Sequence, residues 1–323
     1  MASLSAARSG RLLVPFTSAR LSDHPGVVGR IVVGVDGSEH GRRALRWAQR
    51  KAALHGHELT ALLAWGLFDQ LHADGGASFD PDYGPTDAAA ALDAIVADTL
   101  GADTAGAVRQ LVVCDLPARA LLDAARDADL LVVGPRGRSE LSEVVLGSVT
   151  QTCLHHAPCP IAIVRGNDGP AAAAAGAAER VVVGVDGSET SDRALRWALD
   201  DARARRGIVT AVHAWHVPFS MSLTAGTRDL SAFEDAAGRL LDQAVDATAA
   251  EYRDATVERV LVGGSPADAL LGAAREAALV VVGGRGVGGF RGLLLGSVSQ
   301  QLAHHAACPV VVIPAATRRA ARR

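Results

Sequence analysis

Ile31-Val-Val-Gly-Val-Asp-Gly-Ser38 returns as Val181-Val-Val-Gly-Val-Asp-Gly-Ser188, and the reading of this stretch decides the fold. Its opening run of apolar, mostly β-branched residues is the mark of a strand buried on both faces. Asp36-Gly37-Ser38 then turns the chain, with Ser38 placed to cap a helix. That helix runs through Arg43–His55 and puts Ala44, Leu45 and Ala48 on one face. Leu59–Trp65, Val108–Val113, Leu130–Val133 and Pro160–Val164 read as further strands. Asp87–Thr99, Pro117–Ala125 and Ser148–His156 read as helices, and Pro81–Pro85 as a loop. Near-unbroken apolar strands alternating with helices predict an α/β fold with a doubly wound parallel sheet. Such sheets bind ligands at the carboxyl ends of their strands, near a topological switch point.

The rest of the chain repeats as well. Arg43–Ala48 (RALRWA) recurs at Arg193–Ala198, Gly134–Gly137 (GPRG) at Gly283–Gly286 (GGRG), and Leu146–Val149 (LGSV) at Leu295–Val298. His155–Pro160 (HHAPCP) recurs as His304–Pro309 (HHAACP). The offset is 150 residues early and 149 late. Solenoid repeats run about 20–50 residues, so this period means duplicated domains. Gly166–Glu179 (GNDGPAAAAAGAAE) has no apolar periodicity and reads as a linker. The expected organisation is a disordered or mis-started tail over 1–29, a domain over 30–165, a linker over 166–178, a second domain over 179–314 and a basic tail over 315–323.

Composition narrows the function classes. With 49% hydrophobic and 21% charged residues the chain is not broadly disordered. A net charge of −3 leaves no overall polycationic footprint for nucleic acid. Arg8, Arg11, Arg20 and Arg30 near one end, and Arg318, Arg319, Arg322 and Arg323 at the other, read as solvated tails. No apolar run approaches the roughly 18 residues that span a bilayer, and Leu12–Phe16 is short for a secretory core. The expected location is cytoplasmic, with no membrane and no nucleic-acid partner. Cys114, Cys153, Cys159 and Cys308 are too few and dispersed for a disulfide framework and read as reduced thiols.

The chemistry-bearing pattern is G-x2-G-x9-G-S, at Gly134, Gly137, Gly147 and Ser148, and again at Gly283, Gly286, Gly296 and Ser297. Residues without a Cβ let backbone amides approach phosphate oxygens closely. The last Gly-Ser pair stands where a helix starts, so free N–H groups and the helix dipole favour an anion. Arg136 and Arg285 could pair with a phosphate. A plain strand-to-helix turn is the competing reading. Neither copy is a Walker A loop, because no Gly-Lys-Ser/Thr follows. Gly284–Gly289 meets G-x-G-x-x-G, but its first-half counterpart does not, so a dinucleotide fingerprint is discounted.

The VGVDGS strand end, the G-x2-G-x9-G-S loop and the HHAxCP segment before the last strand together resemble the universal stress protein family in its tandem form. The resemblance spans nearly all of residues 30–314, twice. It implies a five-stranded parallel sheet per domain in the order 3-2-1-4-5, with ATP at the carboxyl edge. It also implies antiparallel pairing of the two last strands into an internal pseudo-dimer, with a further homodimer left open. By position, Asp36 and Asp186 would lie beside ribose and phosphates, accepting a ribose hydroxyl or helping to hold Mg²⁺; a simple turn Asp is the alternative. Ala64 and Ala214 match the adenine-contacting position, with core packing as the alternative. Gly134, Gly137, Gly147 and Ser148, with Gly283, Gly286, Gly296 and Ser297, match the phosphate and ribose loop. Val149 and Thr150, with Val298 and Ser299, continue it, and Thr150 and Ser299 would offer further hydroxyls.

The two loops differ. Glu140 and Glu143 in the first would oppose phosphate if turned inward, and Pro135 removes an amide donor. The second copy is therefore expected to be the stronger site. His155, His156 and Cys159, repeated at His304, His305 and Cys308, make a poor tetrahedral metal set, since adjacent histidines diverge on a helix. Trp47, Trp65, Trp197 and Trp215 read as packing residues. The favoured function is an ATP-binding regulatory module in a stress response. A slow ATPase or phosphotransferase is the alternative, weakened by the lack of an evident base or Lys, and a scaffold without nucleotide is the third reading.

Overall fold

The structure, a computed structural model, describes residues 28–66, 70–76, 79–137, 145–166, 179–216, 231–252, 254–287 and 295–315. Most of the linker, Glu140, Glu143 and both runs of terminal arginines except Arg30 lie outside the described residues.

The first half contains β1 (Arg30–Gly34), α1 (Glu39–His55), β2 (Glu58–Trp65), α2 (Pro85–Leu100), α3 (Ala102–Ala105), β3 (Arg109–Cys114), α4 (Pro117–Ala124), β4 (Leu130–Val133), α5 (Ser148–His156) and β5 (Ile161–Ile163). The second contains β6 (Arg180–Gly184), α6 (Glu189–Arg205), β7 (Ile208–Trp215), α7 (Ser231–Ala249), β8 (Thr256–Gly263), α8 (Pro266–Ala273), β9 (Leu279–Gly283), α9 (Ser297–His305) and β10 (Val310–Ile313). All ten strands join one sheet in the order β3-β2-β1-β4-β5-β10-β9-β6-β7-β8. Within each half the ladders are parallel. Where the halves meet, β5 and β10 pair antiparallel, with Ala162 opposite Val311. Both strands are wholly buried and apolar, and each would otherwise leave an unpaired edge.

Period-2 alternation in β1 sorts the core into two layers. Ile31 and Val33 face α1 and α2, among Leu45, Leu92 and Val96. Val32 faces the other side, among Leu121, Cys153 and Leu154 of α4 and α5. Val181, Val182 and Val183 repeat the division in the second half.

The turns after β1 and β6 form as the Asp-Gly-Ser motif dictates. Gly37 and Gly187 take φ of 78°, a conformation that side chains resist. Ser38 Oγ accepts the Gly41 N–H at 3.0 Å, and Ser188 Oγ accepts the Ser191 N–H at 3.1 Å, capping α1 and α6. Helix α2 begins at Pro85, two residues before the sequence-based start at Asp87. Proline is pre-organised for a first helical position, and Asp87 accepts the Gly84 N–H at 2.9 Å. Among the described residues no helix is long and apolar enough to cross a membrane.

Candidate functional site

Strands β1 and β4 are neighbours whose following segments leave on opposite sides of the sheet, which opens a crevice at their carboxyl ends. Asp36, Ala64, Gly134, Arg136, Gly137, Gly147, Ser148, Val149 and Thr150 all line one cavity of about 350 Å³ there. Asp186, Ala214, Gly283, Arg285, Gly286, Gly296, Ser297, Val298 and Ser299 line its counterpart, of about 680 Å³. The structure thus brings every sequence-derived site residue of each half to one crevice. Both volumes lie within the roughly 300–1,000 Å³ common for small-molecule sites.

The glycines mark close approaches. A Cβ on Gly286 would stand 2.1 Å from Asp186 Oδ2, and one on Gly137 would stand 2.5 Å from Asp36 Oδ2. A Cβ on Gly134 would meet His40 at 3.0 Å, and one on Gly283 would meet Thr190 at the same distance. Gly147 and Gly296 precede α5 and α9 as N-caps without a side-chain cap, leaving the first helical N–H groups turned to the crevice end.

The aspartates brace the protein itself. Asp36 Oδ1 accepts both the N–H and the hydroxyl of Ser38, at 3.1 and 2.6 Å. Asp186 Oδ1 accepts the Ser188 N–H at 3.0 Å, and its Oδ2 accepts the Val287 N–H at 3.0 Å. Asp186 therefore ties the turn after β6 to the loop after β9.

Two sequence expectations need correction. Thr150 Oγ1 donates to the Gly134 carbonyl at 2.7 Å, and Ser299 Oγ lies 2.9 Å from the Gly296 carbonyl and 3.2 Å from that of Gly284. These hydroxyls are buried and engaged in holding the loops, because a strand-to-helix turn leaves carbonyls that need donors. The single hydrogen of each hydroxyl is thereby used within the protein. Second, Pro135 does not remove an anion donor. Its counterpart Gly284 donates its N–H to the Ile313 carbonyl at 2.7 Å, so that amide serves the sheet.

Sequence reasoning missed several lining residues. Pro117 and Pro266, at the first positions of α4 and α8, close the crevice beside β2 and β7. Their duplicated Pro after a strand was the available signal. Leu71 enters the first cavity and is held by Tyr83, whose hydroxyl donates to its carbonyl at 2.6 Å. His213 lines the second, its Nδ1–H donating to the Val185 carbonyl at 2.7 Å. A polar residue within an apolar strand was the signal there.

Arg136 is half-buried and Arg285 exposed, both beside their loops. Burial, followed by Arg136 and Arg43, holds His40 below the usual imidazole value. Among the described residues no cluster of His, Cys, Asp or Glu is arranged to hold a metal. His155–His156 and His304–His305 end their helices, and Arg165 from the first half donates to the His304 carbonyl. Cys159 and Cys308 are buried, their thiols pushed up to about 12 by desolvation.

A sequence model of the universal stress protein family matches residues 28–165 and again 178–314. A universal stress protein of Mycolicibacterium smegmatis is 34% identical over 291 residues, covering 88% of this chain and 96% of that protein. One from Mycobacterium tuberculosis is 33% identical over 299 residues, covering 87% and 96%. The crystal structure of a universal stress protein from Archaeoglobus fulgidus matches with a TM-score of 0.56 at 20% identity, covering 88% of this chain and 98% of that one, and speaks to the fold.

Proposed function

The chain belongs to the universal stress protein family, and from that premise we propose that it is a regulatory module of a stress response that binds ATP, one molecule in each half. One observation carries this reading. In both halves a glycine backbone lies against an aspartate where a Cβ has no room, beside an uncapped helix N-terminus at the carboxyl edge. That combination leaves main-chain N–H groups as the ligand-facing surface, which suits phosphate oxygens. Arg136 and Arg285 add charge beside the loops. The apolar wall formed by Leu62, Ala64 and Leu121, and by Val212, Ala214 and Leu270, suits a flat base.

The residues fit Mg²⁺ poorly. It demands several oxygens in near-octahedral array, whereas both Asp186 oxygens already accept backbone N–H groups and Asp36 Oδ1 accepts two donors. Any Mg²⁺ would be carried by the phosphates and water, without a dedicated protein cage.

The test is the nucleotide content of the purified full-length protein, denatured and run on anion exchange. Two adenine nucleotides per chain, falling to one in Gly286→Val, are expected. No bound nucleotide, and none taken up on adding Mg-ATP, would overturn the proposal.

A further inference from the structure

Lys51 on α1 and Asp201 on α6 occupy equivalent positions of the two halves, 150 residues apart. They meet where the halves join. The Lys51 ammonium donates to Asp201 Oδ1, and their side chains are 5% and 0% exposed. The ammonium also lies 4.2 Å from the ring centroid of Trp197, the repeat of Trp47. Asp201 is further held by His55 Nε2 at 3.2 Å and Arg205 Nε at 2.8 Å.

Equivalent residues touch only on a twofold axis. Ala162 and Val311, facing each other between β5 and β10, are also equivalent, at the late offset of 149. The pseudo-twofold axis therefore passes between Ala162 and Val311 in the sheet and between Lys51 and Asp201 in the helix layer. In an isologous contact an axial residue meets its own copy. Two first halves would bury Lys51 against Lys51, and two second halves Asp201 against Asp201. Arg205, on the same helix as Asp201, would soften the second clash and not the first. Strands β5 and β10 are uncharged and apolar and cannot discriminate.

We propose that the Lys51–Asp201 pair keys this interface, so that the surface of each half accepts the other half and rejects a second copy of itself. The pair is a specificity device. Buried ion pairs add little stability over apolar packing, while unlike-for-like swaps at a buried charge are strongly disfavoured.

The test uses full-length chains carrying Lys51→Asp, Asp201→Lys, or both, one preparation being uniformly ¹⁵N-labelled. Heavy and light chains are mixed and weighed by native mass spectrometry. Each single reversal places like charges on the axis within its own chain. Mixing the two restores opposite charges only between chains, so heavy–light assemblies should rise about tenfold or more over a wild-type mixture. The doubly reversed variant should mix no more than wild type. A mere stabilising contact would lower the unfolding midpoint of each single variant without producing heavy–light assemblies. That result, or single variants indistinguishable from wild type, overturns the proposal. Should a single variant fail to fold alone, the two are co-expressed. Soluble mixed assemblies then support the keying, and insolubility of the co-expressed pair beside a soluble double variant overturns it.

Discussion

Asp186 Oδ2 accepts the backbone N–H of Val287 at 3.0 Å, joining two loops 101 residues apart in the chain. The same carboxylate accepts the Ser188 N–H, so one side chain organises both walls of the crevice.

Asp186→Ala removes the acceptor for both amides. Hydrogen bonds to a charged group are worth about 1.5–3 kcal/mol, and the site is partly exposed, so the expected loss is about 1–2 kcal/mol of stability. Nucleotide affinity in the second half should fall with it. Urea denaturation and calorimetric titration with ATP measure the two effects, and an unchanged loop affinity would separate Asp186 from the site.

Gly286 and Gly296 should respond differently to the same methyl group. A Cβ on Gly286 meets Asp186 Oδ2 at 2.1 Å, whereas one on Gly296 meets nothing nearer than 3.4 Å. Gly286→Ala is expected to weaken ATP binding by about tenfold, near 1.4 kcal/mol, and Gly296→Ala by less than about threefold. Equal losses would show that the Asp–Gly approach does not shape the site.

Acid should act through Asp201. Burial alone would raise its pKa, but the His55 hydrogen bond, Lys51 and Arg205 together hold it well below the usual carboxylate range. A folded-state pKa below the unfolded value contributes stability above the unfolded value, near 3.9, which is lost as pH falls through it toward the folded value. The denaturation midpoint of wild type should drop below about pH 4. Asp201→Asn should be weaker at neutral pH and show a flatter acid limb.

Of the four cysteines, Cys114 is exposed while Cys153, Cys159 and Cys308 are buried, their thiols pushed up to about 12 by desolvation. The thiolate is the reactive form. Native protein treated with a chromogenic disulfide reagent should release one equivalent of dye quickly. The rest should appear only on unfolding, and rapid reaction of a second thiol in native protein would contradict the packing.

Arg206 ends α6 with φ of 54°, where Gly56 ends α1 with φ of 65°. A side chain in this left-handed conformation is strained by about 1 kcal/mol, part of which glycine gives back through a more flexible unfolded chain. Arg206→Gly should stabilise the protein by roughly 0.5 kcal/mol, read as a higher urea midpoint.

Much of this protein is legible locally. The runs Leu130–Val133 and Ser148–His156 form elements with those bounds, because apolar run length and a Gly-Ser helix start act over a few residues. The duplicated glycines pointed to the crevice because backbone sterics belong to each residue. The fate of the Thr150, Ser299 and Gly284 polar groups was not legible, since it depends on which carbonyl lies opposite after folding.

The sequence by itself determined two copies of an α/β unit, strands buried on both faces and the glycine positions where the backbone lies close to a neighbouring group. Only the tertiary structure decided that Lys51 meets Asp201 and that Asp186 holds Val287. Periodicity and turn chemistry act between neighbours in the chain. Contacts between residues more than a hundred positions apart are set by which surfaces the packed sheet brings together.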